Sequence, residues 1–171
     1  MKRRQAIQNI ALLSAGFALL PACNFEQWPE LDNIPLEPDH KKLMTWLTET
    51  ILPTKGEPVI VTPEPAAHFV LTMVDDCFET EDLQEYVEGM NGFLQALITA
   101  DKASVQDLKP EESYSLLMSF VEDDSIPKAQ RFFIQKTKQL TVRHFTSSEY
   151  FMKNHLRFEF VPGRFNGCVQ V

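Results

Sequence analysis

Hydrophobic residues recur at intervals of three and four along most of the chain, which is the spacing that buries one face of a helix. The pattern predicts an all-α domain, mostly helical, with about five helices and an irregular, aromatic-rich C-terminal tail. The expected helices cover approximately residues 39–51, 66–78, 80–97, 110–121 and 127–144. Proline supports these limits, because Pro110 and Pro127 each suit the first turn of a helix.

The third predicted helix carries both a capping signal and two weak positions. Thr80 is expected as its N-cap, because a hydroxyl accepts a hydrogen bond from an unpaired amide and Glu81 and Asp82 favour the positive helix end. Gly89 and Gly92 should weaken the same helix by roughly 1 kcal/mol each relative to alanine.

Three segments lie outside the helical pattern. Residues 24–38 contain three prolines among acidic residues and predict an extended tether. Residues 53–65 contain four prolines and predict a loop. Residues 156–161 alternate aromatic and polar side chains, which favours an extended segment before a turn at Pro162 and Gly163.

The N-terminus has the pattern of an export signal. A basic start is followed by an apolar run over 10–20, which is shorter than the roughly 20 residues that a membrane-spanning helix needs. The next residues, ending at Cys23, resemble a lipobox, so Cys23 is expected to carry acyl chains. Arg3 and Arg4 favour twin-arginine export, the route of proteins that fold before crossing the membrane, with Sec export as the alternative.

These signals divide the chain into a signal peptide (1–22), a lipidated cysteine with a tether (23–38) and a helical domain (39–171). Removing the signal leaves 13 of the 16 basic residues and all 24 acidic ones, a net charge of −11. An acidic chain repels phosphate backbones, which argues against nucleic acid as a partner. After Cys23 no apolar run approaches membrane-spanning length, so membrane contact is expected through the lipid.

Cys77 and Cys168 remain after Cys23 is assigned to the lipid. In an oxidising compartment a disulfide between them would persist and would tie the tail to the middle of the domain. The alternative is two separate buried thiols that act as small hydrophobes.

The sequence contains no motif that would bind a cofactor. There is no GxGxxG turn for a dinucleotide and no CxxCH for haem, and the four histidines show no i, i+4 pair for zinc. The one cluster that looks reactive is Asp75, Asp76 and Cys77, a base beside a nucleophile. Adjacent helix positions point about 100° apart, so a role at a helix end is favoured.

Aromatic and arginine residues alternate near the C-terminus. They are Arg143, Phe145, Phe151, Arg157, Phe158, Phe160, Arg164 and Phe165. Arginine and aromatic side chains are enriched at protein–protein interfaces, although many of these rings are equally suited to fill the core.

Four segments together resemble one family. They are ETILPT (49–54), VDDCF (74–78), FTSSE (145–149) and VPGRFNGC (161–168). In this order they resemble gluconate 2-dehydrogenase subunit 3, the small non-catalytic subunit of bacterial membrane-bound flavoprotein dehydrogenases. The chain departs from the pattern in the proline-rich loop 53–65 and at Lys109, where a capping serine is expected.

The resemblance implies an accessory role beside an FAD-dependent large subunit of the GMC type, which would oxidise gluconate, another sugar or an alcohol. FAD would belong to that partner and none to this chain, and a multihaem cytochrome c would be a further partner. The complex would lie on the periplasmic side of a bacterial membrane, held by the lipid on Cys23. Arg3 and Arg4 would then address the whole folded complex.

The residues expected to contact the partner are Arg164, Phe165 and Asn166, followed by Thr146 and Glu149. Two other hypotheses remain open. One is a stand-alone periplasmic lipoprotein that binds a ligand in a phenylalanine-lined pocket. The other is an enzyme that uses the Asp75, Asp76 and Cys77 cluster.

Overall fold

Six α-helices account for 74% of the residues that the structure describes, and no strand occurs among those residues. The structure is a computed structural model, and it describes residues 28–53, 64–99, 108–156, 158–159, 161 and 163. The helices are α1 (Pro38–Ile51), α2 (Ala66–Cys77), α3 (Thr80–Thr99), α4 (Pro110–Glu122), α5 (Lys128–Thr146) and α6 (Glu149–His155). The predicted all-α fold is confirmed.

All five predicted helices are present. Helix α1 begins at Pro38, one residue before its predicted limit, and the roles predicted for Thr80 and Pro127 at the starts of α3 and α5 also differ. Thr80 is the first helical residue of α3 and does not cap it, because the Glu79 carbonyl already accepts a bond of 2.9 Å from the Leu83 amide. Pro127 lies just before α5 in an extended conformation, outside the first turn. Each of these differences is one residue, within the usual uncertainty of a helix end.

The start of α4 follows the prediction. Pro110 opens the helix, and Lys109 takes the position where the family pattern has a serine. The Glu112 carboxylate accepts a hydrogen bond of 3.2 Å from the Lys109 amide, so this glutamate satisfies one of the amides at the helix start.

The sixth helix, α6, is absent from the prediction, and the segment expected to be extended over 156–161 is not extended at its first residue. Leu156 has a helical backbone conformation, and the Phe158 amide donates to the Met152 carbonyl at 3.0 Å. This bond spans the C-terminal end of α6, so the chain turns back toward the helix at Phe158.

The core lies between α5 and its neighbours α2 and α3, while α1 packs against α2, α3, α4 and α5. Its largest fully buried side chains are Tyr86, Phe93, Phe133, Leu43, Met44 and Leu47. Two hydrogen bonds between buried side chains join helices of this core. The Tyr86 hydroxyl lies 2.8 Å from Thr137 Oγ1, and Trp46 Nε1 donates to Ser113 Oγ at 3.1 Å, joining α1 to α4.

The two glycines of α3 allow it to approach α5 closely. A Cβ at Gly89 would lie 2.1 Å from the carbonyl oxygen of Ala129 and 2.8 Å from Phe133 Cβ. A Cβ at Gly92 would meet only the Gln130 side chain, at 2.9 Å. Low helix propensity at Gly89 is therefore offset by a helix contact that no other residue permits.

The predicted tether is wrong for residues 28–37, which we call the docked segment. Ile34 is only 3% exposed and belongs to the core cluster, and Trp28, Leu31 and Leu36 pack against that cluster. The physical reason is that these four apolar side chains bury surface against the core cluster. A tether can therefore extend only over the residues before Trp28.

Candidate subunit interface

The turn between α5 and α6 carries the predicted contact residues Thr146 and Glu149. Helix α5 ends at Thr146, and Ser148 caps α6 because its hydroxyl accepts a hydrogen bond of 3.2 Å from the Phe151 amide. Glu149 then lies in the first turn of α6, where a negative charge suits the positive helix end. The sequence thus forms a short, capped helix directly after α5.

Glu149 and Thr146 differ in how far they are available to a partner. Glu149 is exposed and forms an i, i+4 ion pair with Lys153, and the hydrogen bond from this lysine lowers the pKa of the Glu149 carboxyl. Thr146 is half-buried, and its hydroxyl donates to the Arg143 carbonyl at 3.2 Å. Of the two residues, Glu149 is therefore the one whose side chain is more accessible to a partner.

Aromatic rings fill the angle between α5 and α6. The Phe145 and Phe151 ring centroids are 5.2 Å apart in an edge-to-face arrangement, and Phe151 stacks on His155 at 5.0 Å. Tyr150 completes the group, 6.0 Å from His155. Such ring pairs hold α6 in place, because edge-to-face and offset geometries are the favourable ones.

The residues that follow this aromatic group expose large apolar side chains to solvent. Leu156, Phe158 and Val161 are 58%, 45% and 76% exposed, and we call them the apolar strip. They fall within six residues of sequence, directly after α6. An exposed apolar cluster is typical of a protein–protein contact surface.

Several predicted site residues lie outside the described residues. They are Arg3, Arg4, Cys23, Arg164, Phe165, Asn166 and Cys168. Their proposed roles in export, lipidation and partner contact stay predictions. Cys77 is a free, exposed cysteine at the end of α2, so the alternative of a buried thiol is wrong for Cys77. A bridge from Cys77 to Cys168 also stays a prediction.

The Asp75 side chain binds the docked segment. Its carboxylate oxygens accept hydrogen bonds from three successive backbone amides, those of Asp32 and Asn33 at 2.9 Å each and of Ile34 at 3.0 Å. The Asn33 side-chain amide adds a bond of 3.4 Å to the Asp75 carbonyl. Hydrogen bonds to an ionised group are the strong ones in proteins, so Asp75 fixes a segment more than 40 positions away in sequence.

This contact separates Asp75 from the other members of the suggested reactive cluster. Asp75 is buried, whereas Asp76 and Cys77 are exposed. The carboxylate that would serve as a base is engaged with the three backbone amides. The favoured helix-end role is also revised, because Asp75 binds a distant segment and not the end of its own helix. No group of three or more His, Cys, Asp and Glu in the described part of the chain is arranged to hold a metal ion.

Two of the described histidines, His40 and His144, are buried, and His144 has the more unusual environment. His144, in the last turn of α5, is buried under the Phe69 ring at 4.7 Å, and its Nδ1 has no hydrogen-bond partner among the described residues. Burial lowers the pKa of His144, and the charge of Glu64 opposes that effect. Sequence reasoning missed this residue, although it continues the buried face of Thr137, Leu140 and Thr141.

These features define a class of protein, namely a small all-α domain with exposed apolar side chains after its last described helix. No helix in the described residues is long and apolar enough to cross a membrane. The chain belongs to the gluconate 2-dehydrogenase subunit 3 family, whose model matches residues 38–163 of the 171. No curated protein and no solved structure matches the chain.

Proposed function

We propose that this chain is the non-catalytic small subunit of a membrane-associated, FAD-dependent dehydrogenase that oxidises gluconate or a related sugar or alcohol. Membership of the subunit 3 family supports its place in a dehydrogenase complex. Its partners are a GMC-type large subunit, which holds the FAD, and a multihaem cytochrome c. The chain assists the export, the anchoring and the stability of the large subunit.

The observation that carries this proposal is the apolar strip. Leu156, Phe158 and Val161 expose about half or more of their side chains, although each would be more stable in contact with another apolar surface. Glu149, exposed in the first turn of α6, adds a charge that can pair with a basic partner residue. An apolar centre with a charged rim is the usual composition of a subunit interface.

Anchoring is assigned to the acyl chains on Cys23, on the periplasmic side of a bacterial membrane. More than one acyl chain is needed for stable attachment, which a lipidated cysteine with a modified amino group provides. Arg3 and Arg4 then address the folded complex to the twin-arginine route. The signal peptide of this chain would then direct the export of both this chain and the large subunit.

Co-expression with a candidate flavoprotein large subunit from the same genome tests the proposal. An affinity tag on this chain should recover the flavoprotein, and replacing Leu156 and Phe158 by serine should abolish the recovery. Tyr114→Ser is the matched control, because Tyr114 is as exposed as Leu156 but lies on α4. Circular dichroism of each variant checks that the helices remain folded.

Two results would contradict the proposal. Recovery unaffected by the two serine substitutions would show that the apolar strip is not the interface. A flavoprotein that is exported and fully active without this chain would remove the accessory role itself.

The stand-alone binding module gains no specific support from the structure. Its expected pocket is lined by the C-terminal phenylalanines, but Phe145 and Phe151 pack against each other and Phe158 is 45% exposed. Two depressions on the described surface have other linings. One lies between Trp28 and Lys41, and the other runs along α3 past Leu83 and Val87.

A further inference from the structure

The docked segment begins very close to the proposed lipid anchor. Trp28 follows Cys23 by five residues, and five residues span at most about 18 Å even when fully extended. A domain of about 130 residues has a radius of gyration of roughly 14 Å, so its outer radius is similar to that reach. A domain held by so short a connection can face the membrane only with the part of its surface near Trp28.

The Asp75 contact is what makes the connection short. Without it the free chain would run from Cys23 to the start of α1 at Pro38, fifteen residues that reach about 50 Å. On such a length the domain could turn freely. With the Asp75 carboxylate on three amides, Ile34 in the core and Trp28 packed against it, the connection from Cys23 to the docked segment is at most five residues long.

The side chains at this point suit a lipid surface. Trp28 is half-buried, with its ring 4.5 Å from His68 on one side and the Lys41 ammonium 5.7 Å from its centroid. Leu31 and Leu36 line the depression beside it, together with the carboxylate of Glu30. Tryptophan is enriched at membrane interfaces, and lysine extends its ammonium toward headgroups from an apolar stem.

We propose that this side of the domain, the Trp28 face (Trp28, Leu31, Leu36 and Lys41), rests on the headgroups of the membrane that holds Cys23. The inference depends on the acylation of Cys23, which is part of the proposed function. It leaves the apolar strip after α6 for the dehydrogenase, so one subunit would use two different surfaces for the membrane and for its partner.

Quenching of tryptophan fluorescence by lipid tests the proposal, because the chain has only two tryptophans. Trp28 belongs to the Trp28 face, whereas Trp46 is buried and bonded to Ser113. The acylated full-length mature chain is placed in phosphatidylcholine vesicles that carry a headgroup spin label. Trp46→Phe leaves Trp28 as the reporter, and Trp28→Phe leaves Trp46 as the matched control.

We expect the emission of Trp28 to be lost in labelled vesicles and the emission of Trp46 to be unchanged. A Cys23→Ser chain should lose the Trp28 quenching. If Trp46→Phe does not fold, the unsubstituted chain gives the same answer, because only the Trp28 part of its emission should be quenched. Equal quenching of both tryptophans, or of neither, overturns the proposal.

Mass spectrometry of the same preparation separates this inference from the proposed function. An unmodified Cys23 would refute the lipid anchor, and with it the Trp28 face, while the partnership with the flavoprotein would still be decided by the recovery experiment. An acylated Cys23 with unquenched Trp28 would refute the Trp28 face alone. If the flavoprotein shields Trp28 while vesicles leave it unquenched, the face belongs to the partner and the membrane proposal is wrong.

Discussion

Replacing Gly89 by alanine tests whether a missing side chain sets the separation of α3 and α5. The new Cβ would lie 2.1 Å from the carbonyl oxygen of Ala129, 2.7 Å from its carbonyl carbon and 2.8 Å from Phe133 Cβ. Real Cβ contacts shorter than 3.0 Å essentially do not occur. One of the two helices must therefore move, and it must do so at the centre of the core.

Two opposing effects decide the size of the change. Alanine is more favourable than glycine inside a helix by about 1 kcal/mol. Overpacking of a well-packed core costs about 1–3 kcal/mol, and the upper end applies here because a backbone carbonyl cannot rotate out of the way. We expect Gly89→Ala to lower the free energy of unfolding by roughly 2 kcal/mol.

Gly92→Ala is the matched control, one turn further along the same helix. Its Cβ would meet Gln130 Nε2 at 2.9 Å and Cγ at 3.3 Å, and a glutamine side chain can move aside. We expect a change between zero and a gain of about 1 kcal/mol. Urea unfolding followed by circular dichroism should give a lower midpoint for Gly89→Ala with an unchanged slope. Equal midpoints for the two variants would refute the reasoning.

Two further predictions concern buried polar groups. Burial raises the pKa of Tyr86, so its hydroxyl stays protonated and forms a neutral hydrogen bond with Thr137. Tyr86→Phe should cost about 1–2 kcal/mol of unfolding free energy, and its effect should be smaller in a Thr137→Val background; strictly additive effects in urea unfolding would contradict the pairing. For His144, burial lowers the pKa of the folded state below the ordinary 6.5, so the unfolded chain binds more protons between the two values. Stability should therefore fall as the pH falls through 6.5 toward the folded pKa, and His144→Gln should flatten this dependence while the exposed His155→Gln leaves it intact. An unchanged pH dependence in His144→Gln would exclude the histidine as its source.

The helices could be predicted because each repeats a local pattern. Every turn of α1 to α5 contributes apolar residues to one face, so the period alone indicates them. The sixth helix is only seven residues long and has no buried residue to mark a face. The available signal was its cap, since Ser148 followed by Glu149 is a typical helix start.

The docked segment and the apolar strip could not be predicted in the same way. The bond from Asp75 to the Asp32 amide joins residues 43 positions apart, and no local pattern specifies such a pairing. The prolines and acidic residues of this segment favoured a tether. The apolar residues Trp28 and Ile34 within it indicated burial, and the prediction did not weigh them. Phenylalanine is common both in cores and at protein interfaces, so the exposure of Phe158 becomes evident only in the folded structure.

The Asp75 contact also changes where this domain can be cut. The family match begins at residue 38, which invites expression of a fragment that starts there. Such a fragment would lack Ile34 and all three amides that satisfy Asp75, a side chain only 8% exposed. A buried carboxylate without its donors costs a few kcal/mol or more, a large share of the stability of a small domain. The independently folding unit therefore begins at or before Trp28, at least ten residues earlier than the family boundary suggests.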